Sequence, residues 1–258
     1  MKKIALTSLL AVFAVSGAHA ANVINNNPLY RPEAGMFYSV TGLGSDSRNT
    51  SHVVLEEEFG YGLTDRLAAT VTTSLSEADW FDNGAWDHVG VGLNWRAVDM
   101  GNWKGDIFGS YNAMSLGTWD DDDSWFDEDV TTYKWTAGVR AGYATAGWTV
   151  AGHVAFDYYN SESFNWDDEG AHMLRFGLDG QLVLNQNWNL IAGVEYNADY
   201  DNWSDNVGYW TGKFGANYNF DADKFVGAYI TKHMDHNGAG NWEVDDGFGF
   251  GATFGIQF

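Results

Sequence analysis

The chain has 258 residues, with 13 Lys+Arg against 35 Asp+Glu, no Cys and 16% aromatic residues. A formal charge of −22 excludes a nucleic-acid binder, which needs a basic face, and the absence of Cys excludes a disulfide scaffold and a thiolate metal site. So aromatic a composition does not fit a disordered chain, and after the first 20 residues no apolar run approaches the roughly 20 residues of a membrane-spanning helix.

Residues 1–20 read as a cleaved secretory signal peptide, and 21–258 as one mature domain. Lys2 and Lys3 precede an apolar stretch from Ile4 to Val15, and Ala18-His19-Ala20 supplies a small-residue cleavage site before Ala21. An N-terminal membrane anchor is the alternative, but the apolar core is short and ends in small residues. Strands with loose period-2 alternation follow near 36–43, 52–63, 67–75, 86–97 and 104–115.

From Tyr133 the alternation sharpens. Tyr133, Trp135, Ala137 and Val139 oppose Lys134, Thr136, Gly138 and Arg140. Trp148, Val150, Val154 and Phe156 oppose Thr149, His153 and Asp157, and Leu174, Phe176 and Leu178 oppose Arg175, Gly177 and Asp179. Trp188, Leu190 and Val194 oppose Asn189 and Glu195, while Trp210, Phe214 and Tyr218 oppose Lys213, Asn217 and Asn219. A strand near 225–233 and a last one from Phe248 to Phe258 complete a set of 12. Side chains alternate across a strand, so each of these has one apolar, aromatic face and one small, polar face.

Short connections (Gly62 to Arg66, Ala97 to Trp103, Ala144 to Gly147, Asn185 to Asn187, Asp221 to Lys224) alternate with long ones at 44–51, 76–86, 116–130, 160–170, 199–208 and 234–246. Transmembrane β-barrels have this asymmetry, with short periplasmic turns and longer extracellular loops. Tyr61, Trp95, Trp103, Tyr143, Trp148, Trp188, Tyr218 and Phe220 stand at strand ends, where an interfacial girdle needs them. With an even strand number both ends of the mature chain lie on the periplasmic side.

The leader, the alternating terminal strand ending on Phe258 and the turn in EFGYGLTDRLAATV together resemble a Gram-negative outer-membrane β-barrel of the porin-like class, over essentially the whole mature chain. The resemblance is to the class, whose small 12-stranded members include sugar-acid channels, nucleoside channels and a phospholipase. It implies an all-β, antiparallel up-and-down barrel in the outer membrane, in contact with lipid and lipopolysaccharide. It also implies that the barrel-assembly machinery reads Phe258. A soluble β-sandwich is the alternative, and it leaves the aromatic outer faces unexplained. Glu57 departs from the pattern, since it shares parity with Val53, Leu55 and Phe59. A bulge, a subunit contact or an interfacial position is expected there, because a charge facing lipid is costly near the midplane.

Five of the long loops, taken as 76–87, 116–130, 160–170, 199–208 and 234–247, hold 22 of the 35 acidic residues and no Lys or Arg. They also hold Trp80, Trp86, Trp119, Trp125, Trp166, Trp203 and Trp242. Three readings stand side by side: a solvated, self-repelling rim, a Ca²⁺ site, and a glycan surface of Trp faces beside carboxylates. The metal candidates are Asp120, Asp121, Asp122, Asp123, Asp127, Glu128 and Asp129, since hard cations take clustered carboxylates, although the spacing is not that of an EF-hand. No cofactor is required.

Inward parity assigns Glu56, Glu58, Arg96, Lys134, Arg140, Arg175, Asp179, Glu195 and Lys213 to a channel lining, with Asp157, His88 and His153 on the same faces. Glu195 lies on the strand between those of Arg175 and Lys213, so ion pairs are expected in the lumen. Many inward positions are small, and 12 strands enclose more space than eight, which favours a narrow polar channel over a packed interior. A serine hydrolase needs Ser and His within hydrogen-bond reach. No same-face H-x-S string occurs, while Asp87-His88, Asp235-His236 and the His233/His236 spacing are weak as catalytic or metal signals. The expected function is a passive channel for small polar or charged solutes. A non-conducting surface barrel whose loops bind cations, glycan or a host partner is the first alternative, and an outer-membrane hydrolase the second. Monomer and trimer are both compatible with the strand faces.

Overall fold

A computed structural model describes residues 27–46, 49–77, 84–116, 130–161, 171–199, 208–236, 242–243 and 248–258. The candidate leader, the candidate metal loop and Trp80, Trp119, Trp125, Trp166 and Trp203 lie outside these residues. In chain order the strands are β1 (Phe37–Asp46), β2 (Asn49–Gly62), β3 (Leu67–Glu77), β4 (Gly84–Met100), β5 (Trp103–Leu116), β6 (Val130–Ala144) and β7 (Trp148–Ser161). They continue with β8 (Ala171–Val183), β9 (Trp188–Asp199), β10 (Gly208–Asn219), β11 (Lys224–His236), β12 (Trp242–Glu243) and β13 (Phe248–Gln257). Each strand from β1 to β11 pairs antiparallel with its sequence neighbour, and β13 pairs with both β11 and β1. The result is a closed 12-stranded barrel, as expected. Closure leaves no strand edge, which hydrocarbon requires because it offers no partner for an open N–H or C=O. The two-residue β12, with Trp242 opposite His236, is an extra rung on β11 that the alternation does not announce.

Burial is inverted relative to a soluble protein. Phe250 is 62% exposed and Leu178 58%, whereas Thr253 on the other face is 2% exposed. The apolar parity faces out and the polar parity faces in, so this surface requires a nonpolar solvent. At the short-turn end the aromatic rings meet edge and face. Trp103 lies 5.0 Å from Tyr143, Tyr143 5.4 Å from Trp148, Trp188 5.1 Å from Tyr218, and Phe37 4.4 Å from Tyr61. That is the girdle expected from the sequence. The terminal Phe258 joins it, stacked 6.1 Å from Phe37 and exchanging both backbone hydrogen bonds with it.

Some local expectations change. β4 runs to Met100, so the β4–β5 turn is Gly101-Asn102 and not a loop from Ala97. The strand accommodates this with a bulge between Arg96 and Val98. Glu57 sits in no bulge, because both of its ladders run in regular register through that position. It faces outward, opposite Thr41, and its carboxylate accepts hydrogen bonds from Ser39 Oγ at 2.5 Å and Thr41 Oγ1 at 2.6 Å. Four residues above Tyr61 on a tilted strand is about 10 Å, which is inside the hydrocarbon and not at its edge. Two hydroxyls donated from the neighbouring strand are what make a lipid-facing carboxylate tolerable there.

Candidate functional site: the lumen

All nine candidate lining residues lie on inward-facing positions, and their register brings the charges together. Arg96 on β4 is directly opposite Asp106 on β5, and Asp106 is opposite Arg140 on β6. Asp106 thereby takes Arg96 in a close ion pair and Arg140 Nε at 3.6 Å. A second buried carboxylate repeats the arrangement two strands on. Asp157, 0% exposed, receives Lys134 Nζ at 3.2 Å, Arg175 Nε at 2.7 Å and the Thr136 hydroxyl at 2.7 Å. β6 therefore supplies one cation to each cluster, and each buried Asp faces two cations. A buried charge needs such pairing, since unpaired it costs several kcal/mol.

The excess positive charge is met further around the wall. Arg175 Nη1 reaches Glu195 Oε2 at 3.4 Å, and His153 bridges two carboxylates, Glu195 at 2.8 Å and Asp179 at 3.3 Å. The His153 ring reaches both by lying across Gly177, where a Cβ would stand 2.1 Å from its Cε1. On the opposite wall β2 carries Glu56 and Glu58, and Tyr38 donates its hydroxyl to Glu58. Lys213 lies 4.2 Å above the Tyr229 ring. These groups stand in the wall of a cavity of about 220 Å³ that includes Glu56, Glu58, Lys134, Arg140, Arg175 and Lys213.

Arg96 stands apart from this cavity wall. It is buried beneath a segment that strand periodicity could not place. Asn27 to Pro32 fold back into the short-turn mouth of the barrel. Asn27-Pro28-Leu29-Tyr30 is a tight turn, with Tyr30 N donating to Asn27 O at 3.2 Å and Leu29 N to Asn27 Oδ1 at 3.2 Å. Asn at the first position and Pro at the second are the residues such a turn prefers. Asn27 Nδ2 donates to Thr149 Oγ1 on β7 at 3.0 Å, and Tyr30 Oη donates to Gln257 Oε1 on β13 at 3.1 Å. Arg96 Nη2 donates to Leu29 O at 2.7 Å. Leu29 is fully buried with Ala144 and Ala151, and Tyr30 packs with Tyr38, Val40 and Phe225. Burial, with Glu58 adding to it, raises the Tyr30 pKa well above its ordinary value and keeps the phenol a donor. Arg31 Nη1 donates to Thr64 O at 3.0 Å, and Arg31 also bonds Asp65 O. A sequence signal existed: the chain has only 2 prolines, and both, Pro28 and Pro32, lie here.

Asp106 was missed as well. It shares parity with Phe108, Ser110 and Asn112, and the loose alternation of β5 hides that face. Register also brings together Ser74 Oγ and His88 Nδ1 at 2.7 Å, and Thr211 Oγ1 and His233 Nδ1 at 3.0 Å. No local string reveals either pair, because the partners come from adjacent strands. Ser74 is 1% and His88 3% exposed, and His88 lines the lumen cavity, so this pair is part of the cavity wall.

No protein-family model matches the chain, and no curated protein matches it in sequence. Solved structures share its fold. A KdgM porin in complex with disordered oligogalacturonate superposes with a TM-score of 0.58 at 7% identity, over 86% of this chain and 99% of that one. A NanC porin gives 0.57 at 11% identity, over 85% and 98%. An outer-membrane channel from Pseudomonas putida F1 gives 0.56 at 14% identity, over 94% and 100%. The fold is that of a small outer-membrane, porin-like β-barrel.

Proposed function

We propose that this outer-membrane barrel is a narrow channel for the passive diffusion of small polar or charged solutes. The observation that carries the reading is the cavity of about 220 Å³ inside a closed barrel, with charged side chains of both signs in its wall. Its size is that of a small solute with a few waters, and its charges are held in place by ion pairs before any solute arrives. The fold it shares with porins and other outer-membrane channels supports the same reading.

One of those porins was solved with an acidic oligosaccharide. Here the cations of β4, β6 and β8 are matched by Asp106, Asp157, Asp179 and Glu195, with Glu56 and Glu58 facing them. A wall this balanced suits solutes that both donate and accept hydrogen bonds better than a polyanion. The acidic composition of the long loops raises the cation concentration at the mouth. Catalysis has no part in this reading.

A second reading, a closed surface barrel, is favoured by the turn seated in the short-turn mouth. Purified, heat-modifiable protein in a planar lipid bilayer separates the two. Reproducible current steps are expected, and their absence from every folded preparation overturns the channel.

A further inference from the structure

The segment Asn27–Pro32 does more than start the first strand. Its backbone turn sits between β7 and β13, which are nearly opposite in the ring of 12 strands. Tyr30, Arg31 and Pro32 line the lumen cavity, so the segment forms the cavity's floor on the short-turn side. The inward groups it touches lie at that end: Thr149 is the second residue of β7, Ala144 the last of β6 and Gln257 the last of β13. A solute crossing the cavity meets this turn before it reaches the periplasm.

The attachment is firm but releasable. Pro28 and Pro32 fix two backbone φ angles, so the turn is shaped in advance and loses little entropy on seating. It is held by hydrogen bonds to Thr149, Gln257, Arg96, Thr64 and Asp65 and by the Leu29 and Tyr30 side chains. None of these described contacts is an ion pair between the turn and the wall. Arg96 keeps Asp106 as its partner whether or not Leu29 O is present, so unseating the turn strands no buried charge. Between the turn and β1 stands Gly35 with φ of 85°, a left-handed conformation that L side chains rarely adopt. Gly35 N is itself bonded to Gly62 O at 2.8 Å and Ala34 bridges Gly62, so this residue is an anchor beside β2, and a swing of the segment takes place on its N-terminal side while β1 stays paired.

We propose that Asn27–Pro32 is a periplasmic gate, a hinged plug that closes the lumen and leaves its seat when a solute passes. The proposal rests on the channel reading and adds the element that controls passage. Seated, the plug gives Thr149 and Gln257 their partners. Unseated, it returns those groups to water and leaves a polar exit ringed by Thr149, Gln257, Arg96 and Tyr38.

The native chain has no Cys, so an introduced pair can be locked without ambiguity. The full-length N27C/T149C protein, closed by oxidation or by a short bifunctional maleimide, is expected to lose current in planar bilayers, and reduction of the disulfide is expected to restore it. L29G/Y30G, which removes both buried anchors, is expected to open at least about tenfold more often than the parent. Each variant is first shown to be folded by its heat-modifiable mobility. With a conducting parent, a locked protein that conducts like it, or an L29G/Y30G protein that opens no more often, overturns the gate and leaves the channel standing. A silent parent beside a conducting L29G/Y30G protein supports a gate that is closed at rest. Silence of parent, reduced pair and L29G/Y30G alike overturns the channel itself.

Discussion

At the scale of single residues, two positions show how close contacts decide what a face can hold. Glu57 is a carboxylate on a lipid face, kept there by Ser39 and Thr41. A carboxylate in the hydrocarbon costs less than the roughly 2–4 kcal/mol of a basic side chain at the midplane, and its two hydroxyl bonds recover part of that. Glu57→Leu is therefore expected to stabilise the barrel by about 1 kcal/mol, read as a higher denaturant midpoint in lipid bilayers. A lower midpoint would mean that the carboxylate holds a partner in the membrane. Gly177 is the second position. Adding a Cβ there displaces the His153 ring from Asp179 and Glu195. Gly177→Ala is expected to cost about 1–3 kcal/mol, because the change breaks two hydrogen bonds to charged groups at once. The same unfolding measurement checks it, and His153→Ala in the same background should add little further loss.

At the scale of elements, β6 is the strand that ties the lumen wall together. Its Lys134 and Arg140 face the same interior and reach different buried carboxylates, Asp157 on β7 and Asp106 on β5. Asp157→Asn removes the counter-charge shared by Lys134 and Arg175 and is expected to destabilise by about 3–5 kcal/mol, seen as a lower temperature for the heat-modifiable shift. The terminal element works differently. Phe258 closes the girdle through backbone bonds to Phe37 as well as through its ring, so Phe258→Ala keeps the hydrogen bonds and loses only stacked area. Its expected effect on the stability of a folded barrel is about 1 kcal/mol or less, given how much of the ring is exposed.

At the scale of the whole molecule, the net charge divides into two populations. Much of the −22 sits in the long loops, while the lumen wall sets its cations against a similar number of carboxylates. Weak ion selectivity is expected for the open channel. Neutralising the β2 carboxylates as Glu56→Gln/Glu58→Gln removes the negative side of the cavity and should move the reversal potential in a KCl gradient towards chloride. An unchanged potential would show that these carboxylates do not face the permeation path.

Strand number, inside-out burial and girdle positions follow from a period of two, because alternation places each side chain on one face whatever the neighbouring strands do. Candidate lining residues such as Arg140 and Glu195 were legible for the same reason. What alternation leaves open is which residues of different strands stand opposite one another. That depends on register, which the bulge at Arg96/Val98 shifts and which the ladders set jointly. The sharing of Asp106 by Arg96 and Arg140, the His153 bridge and the Ser74–His88 contact exist only through that pairing. Asn27–Pro32 lies further still from local pattern. Its turn could be read from Asn-Pro and its stiffness from two prolines, but its seat is made by β1, β4, β6, β7, β11 and β13 together. A cavity floor contributed by six residues and six strands has no signature in any one of them, because the space it fills is created only when the barrel closes.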